Sequence, residues 1–332
     1  MSDSREQALF QWVEQQSRGG EDLTCQSVSG DASFRNYFRV LRPGQASLVA
    51  MDSSLEKSTL PVFIDVAERL GAAGLHPPAV ESFDPVRGYA LLEDLGDRPL
   101  QDELESTAGN KLFADVLPLL LAMAGGVSVA GLPQYSPEKL REELQLFPDW
   151  YADQHLQQPF DASEQQVWNE FCDRLVANAT ALPQVFVHRD FHSCNLHRLE
   201  DGAIGIIDFQ DAVHGPVNYD LVSWLWDRYI DWPREALERW MLDFKAGLEQ
   251  EFPQVFDSVA QMSQAEWIRS CDLVGLQRNL KIIGIFSRLN YRDNKPGYMV
   301  MIPRFSAYVD SVLQHYERGS AIYSLIARRL DV

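Results

Sequence analysis

The densest set of chemically capable side chains lies in Val187-His188-Arg189-Asp190-Phe191-His192-Ser193-Cys194-Asn195-Leu196, followed by Ile206-Ile207-Asp208-Phe209-Gln210-Asp211. An aspartate and an asparagine five residues apart in one tight loop can point at the same small volume. Asp190 can accept the proton of an attacking hydroxyl, and Asn195 offers a neutral oxygen to Mg²⁺. Asp208 leaves the end of the next apolar strand and offers an anionic oxygen to the same metal. Hard oxygen ligands suit Mg²⁺, which takes one or two protein groups and fills its remaining positions with phosphates and water. The plain alternative is a polar turn joining two strands, with His188 a satisfied core histidine.

The elements that must position this loop fall into two parts. Residues 4–18 read as a helix, capped by Ser4, with Leu9, Trp12, Val13 and Gln16 at helical spacing. Strand-like runs follow at 24–28, 33–41 and 47–52, separated by the turn residues Gly30-Asp31 and Pro43-Gly44. A helix over 60–73 ends at Gly74, and two more strands are expected at 79–83 and 89–93 around a turn at 84–88. These runs predict a small antiparallel-sheet lobe over residues 1–95. Residues 96–332 read as a mostly helical lobe, with helices near 109–128, 137–150, 163–182, 219–231, 234–249, 263–290 and a broken 299–329. Short strands at 185–187 and 204–209 interrupt the helices, a suitable mount for a functional loop. The segment 95–99 is the expected hinge. The fold class is therefore α+β in two lobes.

Composition excludes several classes. A net charge of −19 opposes nucleic-acid binding and docking on an anionic membrane. No apolar run approaches the ~20 residues of a membrane span. The N-terminus has no signal-peptide core. Cys25, Cys172, Cys194 and Cys271 lie far apart with no CxxC pair, as reduced thiols of a cytoplasmic protein would. The expectation is a cytoplasmic monomer with small-molecule partners.

With order and spacing intact, the Asp190-to-Asp208 constellation resembles the aminoglycoside phosphotransferase family, from about Thr24 to about Leu325. The resemblance implies a protein-kinase-like fold with ATP between the lobes. It makes Asp190 the base, Asn195 and Asp208 magnesium ligands, and Asp220 a structural brace of the catalytic loop, with His188 beside it. Residues 29–40 and 208–223 narrow the resemblance to members that phosphorylate the anomeric hydroxyl of N-acetylmuramate and N-acetylglucosamine in peptidoglycan recycling.

A turn at Gly30-Asp31 would drape over the nucleotide phosphates, with Ser33 donating to them. The family's third-strand lysine is missing, since Met51 in Leu48-Val49-Ala50-Met51-Asp52 stands near its place. The replacement cations considered are Arg35, Arg39 and Lys57, with Arg35 favoured. The family's adenine site falls at Glu93 to Leu95, through backbone groups. Acceptor candidates are Asp211, His214 and Asn218, and the rings of Trp224, Trp226, Tyr229 and Trp232. Arg228 and Arg288 could each take a carboxylate bidentately; Asn290 and Tyr291 complete the set. Two other readings stay open. One is a kinase of an aminoglycoside, choline-like or amino-alcohol acceptor, which suits the acidic balance. The other is a nucleotide-binding pseudokinase, which the missing lysine motivates. A metal-dependent hydrolase is a remote fourth.

Overall fold

The runs rich in Val, Phe, Tyr and Leu between Thr24 and Glu93 pair as one antiparallel sheet in a computed structural model of the chain, which describes residues 2–16, 23–28, 35–105 and 109–330. The chain divides into two units. The first is Met1–Asp102 with Ser193–Asp211, and the second is Glu103–His192 with Ala212–Val332. Sequence placed residues 193–211 with the helices; their contacts place them with the sheet.

The first unit opens with α1 (Ser2–Gln16), then β1 (Thr24–Val28), β2 (Asn36–Leu41), β3 (Leu48–Asp52), α2 (Thr59–Ala72), β4 (Val80–Asp84) and β5 (Tyr89–Glu93). The strands lie in the order β1-β2-β3-β5-β4. Helix α1 lays Leu9, Trp12 and Val13 on Phe38, Val40, Leu48, Ala50, Tyr89 and Leu91 of the sheet. The i, i+3, i+4 stripe of α2 buries Leu60, Phe63, Val66, Ala67 and Leu70, and Gly74 ends the helix at φ +80°, where glycine carries no Cβ penalty. Met51 is fully buried in β3 between Tyr37 and Ala90.

In the second unit, α3 (Gly109–Gly126) is followed by α4 (Pro137–Leu146) and α5 (Ala162–Ala181). Ser136 caps α4 by accepting the Lys139 N–H, and Asp161 with Glu164 forms a capping box on α5. The expected helix 137–150 continues past Leu146 as a wider π-helical stretch, Phe147–His155. Pro148 has no N–H to give the preceding turn, which favours that change of winding.

The strands around the loop take separate partners. Strand β6 (Gln184–Val187) pairs with β9 (Val213–Pro216) in the second unit. In the first unit β7 (Leu196–Arg198) pairs with β8 (Ile204–Ile206). The expected strand 204–209 stops at Ile206 because Asp208 has φ +64°, which a strand cannot accommodate. Helices α6 (Tyr219–Leu225), α7 (Arg234–Glu251), α8 (Asp257–Ala260), α9 (Gln264–Tyr291), α10 (Ile302–Glu317) and α11 (Ala321–Ala327) complete the second unit. The expected helix 219–231 ends early, where the Asp227 carboxylate accepts the Tyr229 N–H at 2.8 Å and turns the chain. Helix α9 is buried over most of its 28 residues. At Gly284 a Cβ would lie 2.4 Å from the Leu146 carbonyl carbon, so only glycine lets α9 come this close to the end of α4. Among the described residues, no helix is long and apolar enough to cross a membrane.

Candidate active site

In the second unit, β6 delivers the chain to a loop whose backbone is strained and tightly held. Arg189 sits at φ +77°, an unfavourable value for a residue with a Cβ. Asp220, in the first turn of α6, offsets that strain by accepting the N–H groups of His188 at 2.7 Å and Arg189 at 3.0 Å. The Asp190 N–H donates to Nδ1 of the buried His188 at 3.3 Å. The Arg189 guanidinium donates to Glu143, which also accepts the Tyr135 hydroxyl and has Lys281 Nζ at 3.8 Å. Lys281 in turn donates to the Tyr219 hydroxyl at 2.7 Å. Burial pushes the Asp220 carboxyl up to about 6, against the pull of His188 and the two amides. Truncation with Asp220→Ala orphans two buried amides, each worth roughly 1–3 kcal/mol. Urea unfolding should therefore show a loss of about 2–6 kcal/mol, with activity falling as the loop loosens.

Asp190 lies in cationic surroundings that the net charge does not suggest. Burial raises its carboxyl, but the cations Lys281, Arg278 and Arg189 outweigh burial and hold it at about 2. It is thus an ionised acceptor across the physiological range. His192 is pushed well below the ordinary histidine value, by burial first and then by Arg228, so its ring is neutral. Arg228 Nη2 donates to His192 Nε2 at 2.9 Å, which places the ring proton on Nδ1.

The first unit brings Asn195 and Asp208 together. The β7–β8 hairpin returns the chain so that the Ile207 N–H donates to the Asn195 carbonyl at 3.0 Å, one residue before Asp208. Asp208 takes its left-handed φ of +64°, a conformation aspartate tolerates. Gln210 Nε2 donates to Asp208 Oδ1 at 2.7 Å. Phe209 is fully buried against Phe63 of α2, ring centroids 4.8 Å apart, and so anchors the aspartate to the helix. One carboxylate and one amide oxygen on adjoining turns are the hard-oxygen type of donor that suits Mg²⁺, which takes few protein groups. Among the described residues, no group of three His, Cys, Asp or Glu could hold a metal by itself.

The nucleotide-side candidates divide. Gly30 and Ser33 lie outside the described residues. Arg35 is buried just before β2 and hydrogen-bonds the Tyr37 side chain. Burial raises the Tyr37 hydroxyl, Arg35 opposes the rise and Asp208 adds to it, so all three side chains are neighbours. Arg39 is committed elsewhere, donating to Asp94 at 2.6 and 3.0 Å and to Asp97. Lys57 donates to the Val86 carbonyl at 2.7 Å, in the turn between β4 and β5. The Glu93 carboxylate is held by His76 at 3.1 Å and by the Ala79 N–H at 3.1 Å, while Leu95 packs on Gly205. Any adenine contact here would thus fall to backbone groups.

A model described as the phosphotransferase enzyme family matches residues 24–259. The chain belongs to that family. The N-acetylmuramate/N-acetylglucosamine kinase of Pseudomonas aeruginosa is 39% identical over 306 residues, covering 90% of this chain and 87% of that protein. The kinase of the same name from Neisseria meningitidis is 34% identical over 315 residues, covering 92% and 90%. Among solved structures, a choline kinase of Streptococcus pneumoniae gives a TM-score of 0.65 at 13% identity, covering 93% of this chain and 99% of that one. An ADP-bound aminoglycoside phosphotransferase gives 0.58 at 14% identity, covering 93% and 98%. The fold is therefore the two-lobed protein-kinase-like α+β fold, and the chain is a phosphotransferase with a hydroxyl acceptor.

For a phosphotransferase, the acceptor-side candidates are unevenly placed. Asp211 is exposed in the first unit. The His214 ring is fully used: Nδ1 pairs with Gln134 at 2.7 Å and Nε2 with the Gln184 carbonyl at 3.0 Å, so it braces β9. Asn218 is buried against the Cys271 sulfur at 3.5 Å. Trp224, Trp226 and Trp232 are core side chains with no open ring face, whereas Tyr229 is exposed. Arg288, on the last turn of α9, acts chiefly with Arg292, Asp293 and Glu142; Asn290 is half-buried beyond it, and Tyr291 bonds His155 Nδ1 at 2.9 Å. Only Arg228 connects to Asp190, through His192. The sequence reading missed Arg278, Lys281, Glu143 and His192. The later part of helix α9 sets Arg278 and Lys281 among Val274, Leu276, Leu280, Ile282, Ile283 and Phe286, all buried, and a charge in such an apolar stretch faces the interior. That pattern was the available signal.

Proposed function

We propose that this phosphotransferase moves the γ-phosphoryl group of ATP to the anomeric hydroxyl of N-acetylmuramate and N-acetylglucosamine, giving the sugar 1-phosphate in peptidoglycan recycling. Its similarity to kinases of that name over nine-tenths of its length supports the acceptor. The observation that carries the choice against a choline-like or aminoglycoside acceptor is the pair of cations near Asp190, the buried Arg278 and the half-buried Arg228. Together with Arg228, Arg278, whose Nε and Nη1 have no partner among the described residues, would repel an ammonium group, and the pair favours a neutral or anionic acceptor.

In this reading Asn195 and Asp208 hold Mg²⁺, which when bound neutralises charge on the transferring phosphates. Arg35, beside Asp208, supplies the cation that Met51 does not. Gly30 and Ser33 cover the phosphates, and backbone groups of Glu93 to Leu95 take the adenine. Asp190 accepts a hydrogen bond from the acceptor hydroxyl and orients it. A carboxylate near 2 is a weak base, so it receives the proton late, once the oxygen has begun to bond phosphorus. An anomeric hydroxyl, more acidic than an ordinary alcohol, suits such a base. The Asp220 brace keeps Asp190 aimed, so positioning provides much of the rate. A cytoplasmic monomer is the setting proposed.

The test is product analysis by ³¹P and ¹H NMR after incubation with ATP, Mg²⁺ and each sugar. Coupling between phosphorus and the anomeric proton is expected. Phosphorylation of choline or an aminoglycoside, with neither sugar modified, sinks the acceptor assignment. No ATP-dependent product with any acceptor returns the pseudokinase reading.

A further inference from the structure

Arg278 stands apart from the other buried charges of the second unit. Asp272 accepts two bonds from Arg234, at 2.6 and 2.7 Å, and one from Tyr316 at 2.7 Å. Glu143 and Lys281 hold each other and two tyrosine hydroxyls. Arg278, only 2% exposed, has Nε and Nη1 without a hydrogen-bond partner among the described residues. Nδ1 of the buried His192 is likewise unpartnered, and it carries the ring proton because Nε2 accepts from Arg228. Three buried donors are therefore left open, a costly state unless a ligand completes them. Their place is defined. The charges acting on Arg278 are those of Asp190, Arg228 and Asp227, with Tyr219 beside them. Arg278 and Arg228 repel each other, and an anion shared between them relieves that repulsion.

We propose that Arg278, with Arg228 and the His192 Nδ1–H, forms an anion site that holds the carboxylate of an acidic acceptor sugar beside Asp190. The inference rests on the kinase reading above and deepens it. N-acetylmuramate carries one carboxylate, on its lactyl ether, and N-acetylglucosamine carries none. The site therefore acts on one of the two acceptors and sets the preference between them. The planar fork of arginine matches a carboxylate in two bonds, and a desolvated site strengthens both.

The experiment compares kcat/KM for the two sugars in wild type, Arg278→Gln and Arg228→Gln. The ratio of N-acetylmuramate to N-acetylglucosamine should fall roughly 10- to 100-fold, the scale of losing a charge-assisted bond, on top of any loss common to both. Arg228→Gln, at a half-buried position, provides the same readout if Arg278→Gln does not fold. Equal losses with both sugars, leaving the ratio within about twofold, overturn the carboxylate site and make these cations partners of the transferring phosphoryl group or of Asp190 alone. If wild type phosphorylates neither sugar, the acceptor assignment fails separately. Calorimetric binding then decides the anion site. Tighter binding of N-acetylmuramate than of its methyl ester, lost in Arg278→Gln, upholds it, and equal binding of acid and ester overturns it.

Discussion

Asp190→Asn should lower kcat by roughly 10²–10⁴, the range for removing a positioned general base, while the KM for ATP changes little. Asparagine has nearly the same shape and can still accept a hydrogen bond from the hydroxyl, but it cannot take the proton. The loop should stay in place, because its backbone bonds to Asp220 do not involve the Asp190 carboxylate. The pH dependence separates this role from a structural one. With its carboxyl at about 2, Asp190 is ionised at every pH where the enzyme is assayed, so it adds no acid limb to kcat above about pH 4. An acid limb near pH 6 that vanishes in Asp190→Asn contradicts this environment. Stability follows the same sign. A carboxyl lower in the folded chain than in the unfolded one stabilises above its unfolded value. That contribution is lost as pH falls from about 4 toward 2. The stability gap between wild type and variant should therefore narrow over that window in urea unfolding.

Asp208→Ala should reduce kcat by about 10²–10³, the scale of deleting one preorganised electrostatic group, and should raise the Mg²⁺ concentration needed for half-maximal rate. Asp208→Asn tests the same oxygen at lower charge. It should also separate chemistry from backbone, since asparagine tolerates the left-handed φ of +64° while alanine there costs roughly 1–2 kcal/mol. Alanine should thus lose both stability and activity, and asparagine activity with little stability. Manganese binding followed by electron paramagnetic resonance reads the metal directly; unchanged affinity in both variants would remove Asp208 from the ligand set.

What the sequence made legible was local. Asn195 and Asp208 flank one short hairpin, and the loop that carries Asp190 follows directly on β6, so each local conformation depends on neighbours close in the sequence. Strand β5 and the stripe of α2 were readable for the same reason, through period and composition. The pairing of β6 with β9 was not, because Gly215 and Pro216 look like loop residues until a partner strand exists for them. Trp224 and His214 resembled sugar contacts from their types alone. Burial takes both ring faces of the first, and Gln134 and Gln184 take both nitrogens of the second. Two of the charges that set the Asp190 environment, Arg278 and Lys281, arrive from α9, some ninety residues further along the chain. No spacing rule links a loop to a helix so distant. The only trace was that Arg278 and Lys281 stand among apolar residues in the later part of that helix.

The burial of Met51 in the sheet has a practical outcome. Reagents that find kinases by acylating the third-strand amine, with a nucleotide as the targeting group, have no nucleophile at this position. A thioether packed between Tyr37 and Ala90 does not react with an acyl donor. Profiling cell extracts with such a reagent would leave this enzyme unlabelled at the position where lysine-bearing relatives are tagged. An inhibitor anchored covalently to that lysine would spare it for the same reason.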